Sequence, residues 1–305
     1  MNKKILTRNR LAFAAFVAPA LVFYIIFMGL PMFSAIIYSF TNWNGIRPVY
    51  RFVGISNYIE AFTEDVNFFN SVIFTLKFTL VVVIIQNFLA LIIALFINYL
   101  KTTRKLFKTI FFLPNMISLV VGSYMFRFVF LRIFPDLGVK LRGVSFLGIY
   151  DFFAFLDHSW TADPVYAFWS IVIVSIWSGM GYMIIVYLAA IETVPKELKE
   201  QAAIDGAPPL IEFLNVTLPL ILPAVTICLF LTINNSFKVF DQVFALTHGE
   251  PGRTTETIAL NIYFDAFGNN QRLGYGCAKA IILFGMILLI TMFQVGLMKR
   301  KEIEL

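Results

Sequence analysis

The sequence predicts an all-α integral membrane protein with six transmembrane helices, and three observations carry that prediction. Apolar residues make up 59% of the 305 residues, charged residues 14%, and phenylalanine alone supplies 35, far from the balance of a soluble domain. Apolar runs of the length that crosses a bilayer, about 20 residues, recur at 11–38, 78–100, 110–130, 165–190, 218–244 and 280–298. Basic residues crowd the ends of these runs on one side: Lys3, Lys4, Arg8 and Arg10, then Lys101, Arg104, Lys105 and Lys108, then Lys196 and Lys199, then Lys299, Arg300 and Lys301. The loops on the other side are longer and poorer in Lys and Arg. Six spans put both termini on one side, and the positive-inside rule makes that side, with the loop 191–217, the cytoplasm. The net charge of +6 therefore reports topology. With no basic patch interleaved with aromatics, it points to no nucleic-acid partner.

The first run, Leu11 to Tyr38, is far longer than the apolar region of a secretory signal, so an uncleaved span is expected, kinked or ended at Pro19 and Pro31. From Thr41 to Phe69 the chain turns polar and aromatic, with Trp43, Tyr50, Phe52 and Tyr58 suited to a membrane interface. The second span, from Phe78, holds Gln86, expected to hydrogen-bond between helices. The third, from Ile110, holds Pro114 early and Arg127 late, and the mixed-charge stretch Leu131–Pro164, with Asp136, Arg142, Asp151 and His158, reads as a loop folded over the membrane surface. The fourth span, Val165 to Ala190, carries Trp169 and Trp177. In the fifth, from Leu218, the polar residues Asn234, Asn235, Ser236, Lys238 and Asp241 interrupt the apolar run before Phe244. Lys279 opens the sixth span, where a snorkelling side chain reaching the outer interface is the default. Lys77 and Arg127, also at span ends, read the same way. Cys228 and Cys277 lie in or near apolar segments without metal-ligand spacing, and His158 and His248 are far apart, so a metal site is not expected.

Between the fourth and fifth spans lies the most structured polar stretch, PKELKEQAAIDGAPPLIEFLNVTLPLILP, from Pro195 to Pro223. Pro195 suits the first position of a helix, Lys196 to Ala203 are good helix formers, and Gly206 with Pro208-Pro209 ends it. A helix so short is unstable alone in water and needs a docking partner. Ala202, Ala203, Gly206 and Ala207 let another surface approach its backbone closely. A second short helix, Leu210 to Asn215, is expected to lead into the membrane at Pro219.

Glu200-Gln201-Ala202, three residues, Gly206, nine residues, Val216, one residue and Leu218-Pro219 resemble the EAA loop of the permease subunits of binding-protein-dependent ABC importers. Gln201 stands where the family has Ala, and Val216 where it has Ile. Three further elements resemble the carbohydrate-type permeases: Phe52-Val53-Gly54-Ile55-Ser56-Asn57-Tyr58 their FVG-x-x-NY signature, Phe111-Phe112-Leu113-Pro114 their F-L-P, and Thr247-His248-Gly249-Glu250-Pro251 their T-x-G-G-P turn. In that turn Glu250 replaces the second Gly, which removes one position free to adopt positive φ.

The resemblance implies the type I importer permease architecture and a division of labour. There is no G-x-x-x-x-G-K-[ST] phosphate loop in the chain, so ATP and Mg would be bound by two separate ABC ATPase subunits. A second related permease, making a heterodimer, and an extracytoplasmic solute-binding protein would complete the machine in a prokaryotic cell membrane. The EAA helix would dock in an ATPase groove as a rigid lever. Glu200 would make a polar contact and Ala202 allow close approach. Asp205 would cap the second helix or hold the turn that Gly206 makes. Asn234, Lys238 and Asp241, spaced i, i+4 and i+7, are expected on one helical face with Asn235 and beside Phe237 and Phe240, a combination of amides, charges and rings suited to sugars. The other reading of this group is a Lys238–Asp241 pair near the outer helix end, with the asparagines bonded to neighbouring helices. An ion-gradient-driven secondary transporter is the alternative function. It expects carboxylates deep in the spans and internal repeats, and Asp241 is the only acid this reading places near a span interior. No nucleophile, metal cluster or carboxylate pair suggests an enzyme.

Overall fold

Long apolar runs in lipid must satisfy their own backbone hydrogen bonds, and this chain does so as helices. The computed structural model describes residues 3–100, 102–142, 156, 158–268 and 271–300. Lys101, Asp151, Lys301, most of the loop expected after Arg142, and the side chains of Lys3, Lys4, Arg8, Arg10 and Arg142 lie outside the described residues. Two compact units emerge: Met1–Asp65 with Ile262–Ile282, and Val66–Asn261 with Leu283–Leu305.

In the first unit, α1 (Lys3–Tyr24) accommodates Pro19, widens into a π-turn at Ile25–Gly29 and continues as α2 (Leu30–Tyr38), with Pro31 in its first turn. The prolines, expected to kink or end the span, do not end it. The stretch Phe13–Tyr38 buries none of its side chains. The FVG-x-x-NY segment then ties down the end of α2. Gly54 takes φ +59°, and α3 (Ser56–Thr63) follows. The buried Asn57 amide donates to the carbonyls of Ser39 (2.8 Å) and Thr41 (2.9 Å), and the Tyr58 hydroxyl donates to Ser39 Oγ at 2.7 Å. An Asn here can make both bonds because its two N–H groups diverge; no apolar residue could stand in.

The same unit holds the ends of α13 (Ile258–Phe267) and α14 (Leu273–Lys299) nearest to each other in sequence. Lys279 does not snorkel. It is fully buried, ion-paired to Asp65 at 2.6 Å and to Asp265. The Tyr275 hydroxyl donates to Asp65 at 2.8 Å, and the ammonium lies 4.4 Å from the Tyr275 ring centre. Nearby, Arg272 grips Glu60 with two bonds of 2.6 Å. That grip raises the Arg272 pKa above its ordinary value, by the hydrogen bond to Glu60 first, so the guanidinium stays charged. Asp65, just before α4, and Asp265 on α13 are the partners that a buried ammonium on α14 demands.

In the second unit three helices form the core: α4 (Val66–Tyr99), α8 (Pro164–Thr193) and α11 (Leu218–Phe237). Asp163 caps α8, its carboxylate accepting from the N–H of Val165 at 2.8 Å. Ala90 and Ala94, both fully buried, form a small-residue seam on α4 against Ile184, Tyr187, Leu188 and Ile191 of α8 and Ile221 and Cys228 of α11. Asn87 bonds the three together: it accepts from the Tyr187 hydroxyl at 2.8 Å and donates to Thr232 Oγ1 at 3.1 Å. The interhelical bond expected of Gln86 thus belongs to its neighbour, because one residue turns the helix by about 100° and aims Gln86 elsewhere.

The expected third span, 110–130, is two helical arms bent by 93°, Arg104–Met116 and Leu119–Lys140. α5 (Arg104–Phe112) tightens into a 3-10 turn at Leu113–Met116 containing Pro114, and Ile117 (ψ 136°) and Ser118 (ψ 128°) are extended. Two extended residues cannot continue a helix, so α6 (Leu119–Phe128) sets off in a new direction and runs through a π-turn into α7 (Phe134–Arg142). The start of the loop expected over 131–164 is therefore helical. α5 passes close to α8 at Gly181, where a Cβ would overlap the Phe111 carbonyl oxygen.

Two other boundaries differ from expectation. α4 begins at Val66 and α14 at Leu273, earlier than the apolar runs at Phe78 and Ala280, because the helices extend beyond their apolar parts. The fifth span ends at Phe237, and α12 (Asp241–Leu246) is a separate helix after a break at Lys238–Phe240.

Candidate functional site

Two regions gather the residues singled out in the sequence. The first is the loop after α8. Its helix α9 (Lys196–Ile204) ends in Gly206 at φ +76°. The Gly206 N–H bonds the Ala203 carbonyl (3.1 Å) and the Ala207 N–H bonds the Ala202 carbonyl (2.9 Å), the pair of bonds by which a left-handed residue closes a helix. A Cβ on Gly206 would meet nothing within 4 Å, so glycine is needed here for its dihedral angle alone. Asp205 holds no cap. The next helix, α10 (Pro209–Glu212), has Pro208 at its N-cap without a side-chain bond, and Asp205 serves the turn only through its backbone. Nor is α10 the separate second helix expected from Leu210 to Asn215. It runs through a π-turn, Phe213–Thr217, into α11, with Pro219 in the first turn.

Glu200, Ala203, Asp205 and Gly206 are exposed, with Ala202 and Ala207 half-buried beside them. Ile204 is 85% exposed and Leu210 68%, so the short helix and the turn present an apolar, small-residue face with no cover of their own. The loop's base is fixed by charge: Glu192 at the end of α8 is paired with Arg104 and, at 3.4 Å, with Lys108 of α5.

The second region is a polar cavity of about 370 Å3. It forms where the break between α5 and α6 and the break between α11 and α12 come together against α4 and α8. Asn235, Lys238 and Asp241 line it. They do not share a helical face, since the helix ends at Phe237; the non-helical turn through Lys238 (φ −94°, ψ 5°) brings them round instead. Asn234 and Phe237 are not in it. The Asn234 amide donates to the Phe230 carbonyl one turn back, and Phe237 is buried in the core. Phe240, expected beside them, does line it, and residues the sequence did not single out for this role add to the lining: Gln86, Asn115, Ser175, Ser178 and Gln242. Gln242, itself buried, accepts from Ser175 Oγ at 2.9 Å and donates to the Ile171 carbonyl at 2.7 Å, and the Asn115 amide donates to the Ser178 carbonyl at 3.1 Å. The available signals were Asn115 directly after Pro114, which was not singled out in the sequence, and Gln86 within an apolar run, read as an interhelical hydrogen-bond former.

Elsewhere the histidines stack on rings, His158 on Tyr166 and His248 beside Phe244. Among the described residues no group of three or more His, Cys, Asp or Glu side chains could hold a metal ion. In the Thr247–Pro251 turn, positive φ falls on His248 and Gly249, and not on Glu250. Glu250 therefore fits without strain, and its carboxylate accepts from the Gly252 N–H at 2.6 Å.

Residues 86–302 match the family described as the binding-protein-dependent transport system inner membrane component. The chain is 38% identical to a probable starch degradation products transport system permease protein, AmyD, of Thermoanaerobacterium thermosulfurigenes, over 98% of this chain and 97% of that one. It is 35% identical to the multiple sugar-binding transport system permease protein MsmF of Streptococcus mutans, over 94% and 95% of the two chains. A chain in the crystal structure of a bacterial ABC transporter involved in the import of alginate, an acidic polysaccharide, superposes with a TM-score of 0.80 at 23% identity, covering 97% of this chain and 98% of that one. The likeness to that structure shows the same all-helical fold. This chain belongs to the family of binding-protein-dependent transport system inner membrane components, the permease subunits of ABC importers, which are membrane transport components and not enzymes.

Proposed function

We propose that this chain forms the translocation path for a sugar or oligosaccharide in an ATP-driven importer of a prokaryotic cell membrane. The observation that carries the reading is the polar cavity between two broken helices. Non-helical backbone at membrane depth is tolerated where it lines a cavity or is buried in protein, and here it brings the amides of Asn115, Asn235 and Gln242 with Phe240 to one hollow. Amides both donate and accept, as the hydroxyls of a saccharide require, and an aromatic ring offers a stacking face. Relatives named for starch degradation products and multiple sugars support the same class.

In this reading a solute-binding protein outside the membrane delivers the sugar, a reading supported by the bacterial alginate ABC transporter of the same fold, whose structure is in complex with an alginate pentasaccharide-bound periplasmic protein. ATP and Mg belong to two ABC ATPase subunits, and a second permease completes the pore. The exposed α9, with Glu200, Ala202, Ala203, Asp205, Gly206 and Ala207, docks on an ATPase. Its rigid link through the π-turn to α11, and through Glu192 to α5, turns ATPase closure into tilting of the helices around the cavity. Buried carboxylates also suit a secondary transporter, but Asp65 and Asp265 are held by Lys279 rather than strung along a pathway. The test is to purify the chain in mild detergent after expression with its neighbouring genes. Co-purification of a second permease and an ATPase, with hydrolysis raised by binding protein and sugar, supports the proposal; a chain that purifies alone and transports without ATP overturns it.

A further inference from the structure

Above the polar cavity on the same helix lies a second hollow of about 350 Å3, within the range of small-ligand sites, about 300–1,000 Å3. One face of α4 supplies Asn67, Asn70, Phe74 and Lys77, and the turn after Pro251 supplies Gly252 and Arg253. It lies toward the end of α4 away from the basic segment after Tyr99, which is the outer end in the topology read from charge. Phe74 lines this hollow and Phe78, one turn further along, lines the polar cavity; their rings are stacked 6.3 Å apart at 5°. The two hollows are thus consecutive along one wall.

The turn that closes the hollow is firmly held. Arg253 is gripped by the carboxylate of Glu256, which is itself buried and accepts from the Asn261 amide at 2.7 Å. The Ile258 N–H donates to Thr75 Oγ1 on α4 at 3.0 Å, and Thr257 Oγ1 donates to the Val239 carbonyl at 2.9 Å. With Arg253 compensated by Glu256 and the Thr254 hydroxyl donating to the Pro251 carbonyl at 2.7 Å, α4 faces the hollow with two exposed amides and one ammonium beside a buried ring. Donors and acceptors beside an aromatic wall suit a hydroxyl-rich ring.

We propose that this hollow is an outer saccharide subsite, holding one sugar unit of an oligosaccharide while the units ahead of it occupy the polar cavity, with Asn67, Asn70 and Lys77 as its hydrogen-bonding residues. The proposal rests on the carbohydrate reading above. A saccharide long enough to fill both hollows touches these residues while its leading units are in the cavity, and a short one touches them only in passing.

The test uses the complete transporter with its binding protein in proteoliposomes, and series of starch- and arabinan-derived oligosaccharides from disaccharide to heptasaccharide. Uptake kcat/KM is compared for wild type and for Asn67→Ala/Asn70→Ala, two exposed positions where alanine favours the helix; Lys77→Gln is the second variant. The subsite predicts a loss that grows with chain length, about tenfold greater for the longest carried saccharide than for the shortest, as expected from the loss of two hydrogen-bonding side chains. A loss equal at all lengths, with a higher half-saturating concentration of binding protein, overturns the subsite in favour of a docking contact. Unchanged uptake in both variants overturns it outright. Wild type that carries no saccharide brings down the carbohydrate reading itself, an outcome distinguishable because it needs no variant.

Discussion

Replacing Lys279 by methionine removes a buried ammonium and leaves Asp65 and Asp265 without their common partner. Lys279 has no exposure, and the side chains of Asp65 and Asp265 are 17% and 13% exposed. At the 2.6 Å separation from Asp65, the gross attraction with an effective dielectric of about 20 is roughly 6 kcal/mol. Desolvation of the ions offsets much of this. The net loss on deleting one member of a buried pair is about 3–5 kcal/mol, because a charge remains in place uncompensated. A snorkelling lysine at an interface would cost under about 1 kcal/mol. The assay is thermal unfolding of the purified complex in detergent, where a loss of this size lowers the midpoint by at least roughly 5 °C. Lys279→Met with Asp265→Asn recovers part of the loss by removing one of the stranded charges. A Lys279→Met protein that melts within about 1 °C of wild type would refute the buried-cluster argument.

Gly206→Val places a β-branched residue at φ +76°, at a cost of at least about 1–2 kcal/mol to the turn; the protein should insert normally while binding protein no longer stimulates ATP hydrolysis, and normal stimulation would count against the coupling role. Gly181→Ala drives a Cβ into the Phe111 carbonyl and should lower stability by about 1–3 kcal/mol, read as a reduced detergent melting temperature. Asn235→Ala, in the cavity wall, should lower uptake kcat/KM by roughly two- to tenfold, the worth of a typical hydrogen bond, with the ATPase still bound and stimulated; untouched uptake assigns Asn235 to packing.

Helix content, the apolar spans and the Gly206 turn were legible because each follows from local chemistry: apolar length, a proline start, and a residue that must adopt a left-handed angle. The FVG-x-x-NY segment was legible as a signature, but its work was not, since Asn57 bonds the Ser39 carbonyl and Tyr58 the Ser39 hydroxyl, 18 and 19 residues away. The broken helices were the main loss. Pro114 signalled irregularity, but the 93° bend depends on Ile117 and Ser118 being extended, and neither residue forbids a helix. Treating Leu218–Phe244 as one helix put Asn234, Lys238 and Asp241 on one face. The helix instead ends at Phe237: Asn234 and Phe237 are not in the cavity, Phe240 is, and Gln242 joins it. Lys279 was misread because its partners, Asp65 and Asp265, are 214 and 14 residues away, and periodicity within one span reveals neither.

The measurement that tests the central claim most directly is uptake of a binding-protein-delivered oligosaccharide into proteoliposomes containing this chain and its partner subunits. The account predicts accumulation that requires ATP on the side of α9 and is unaffected by ionophores that collapse ion gradients. Accumulation driven by a proton or sodium gradient without ATP would contradict it.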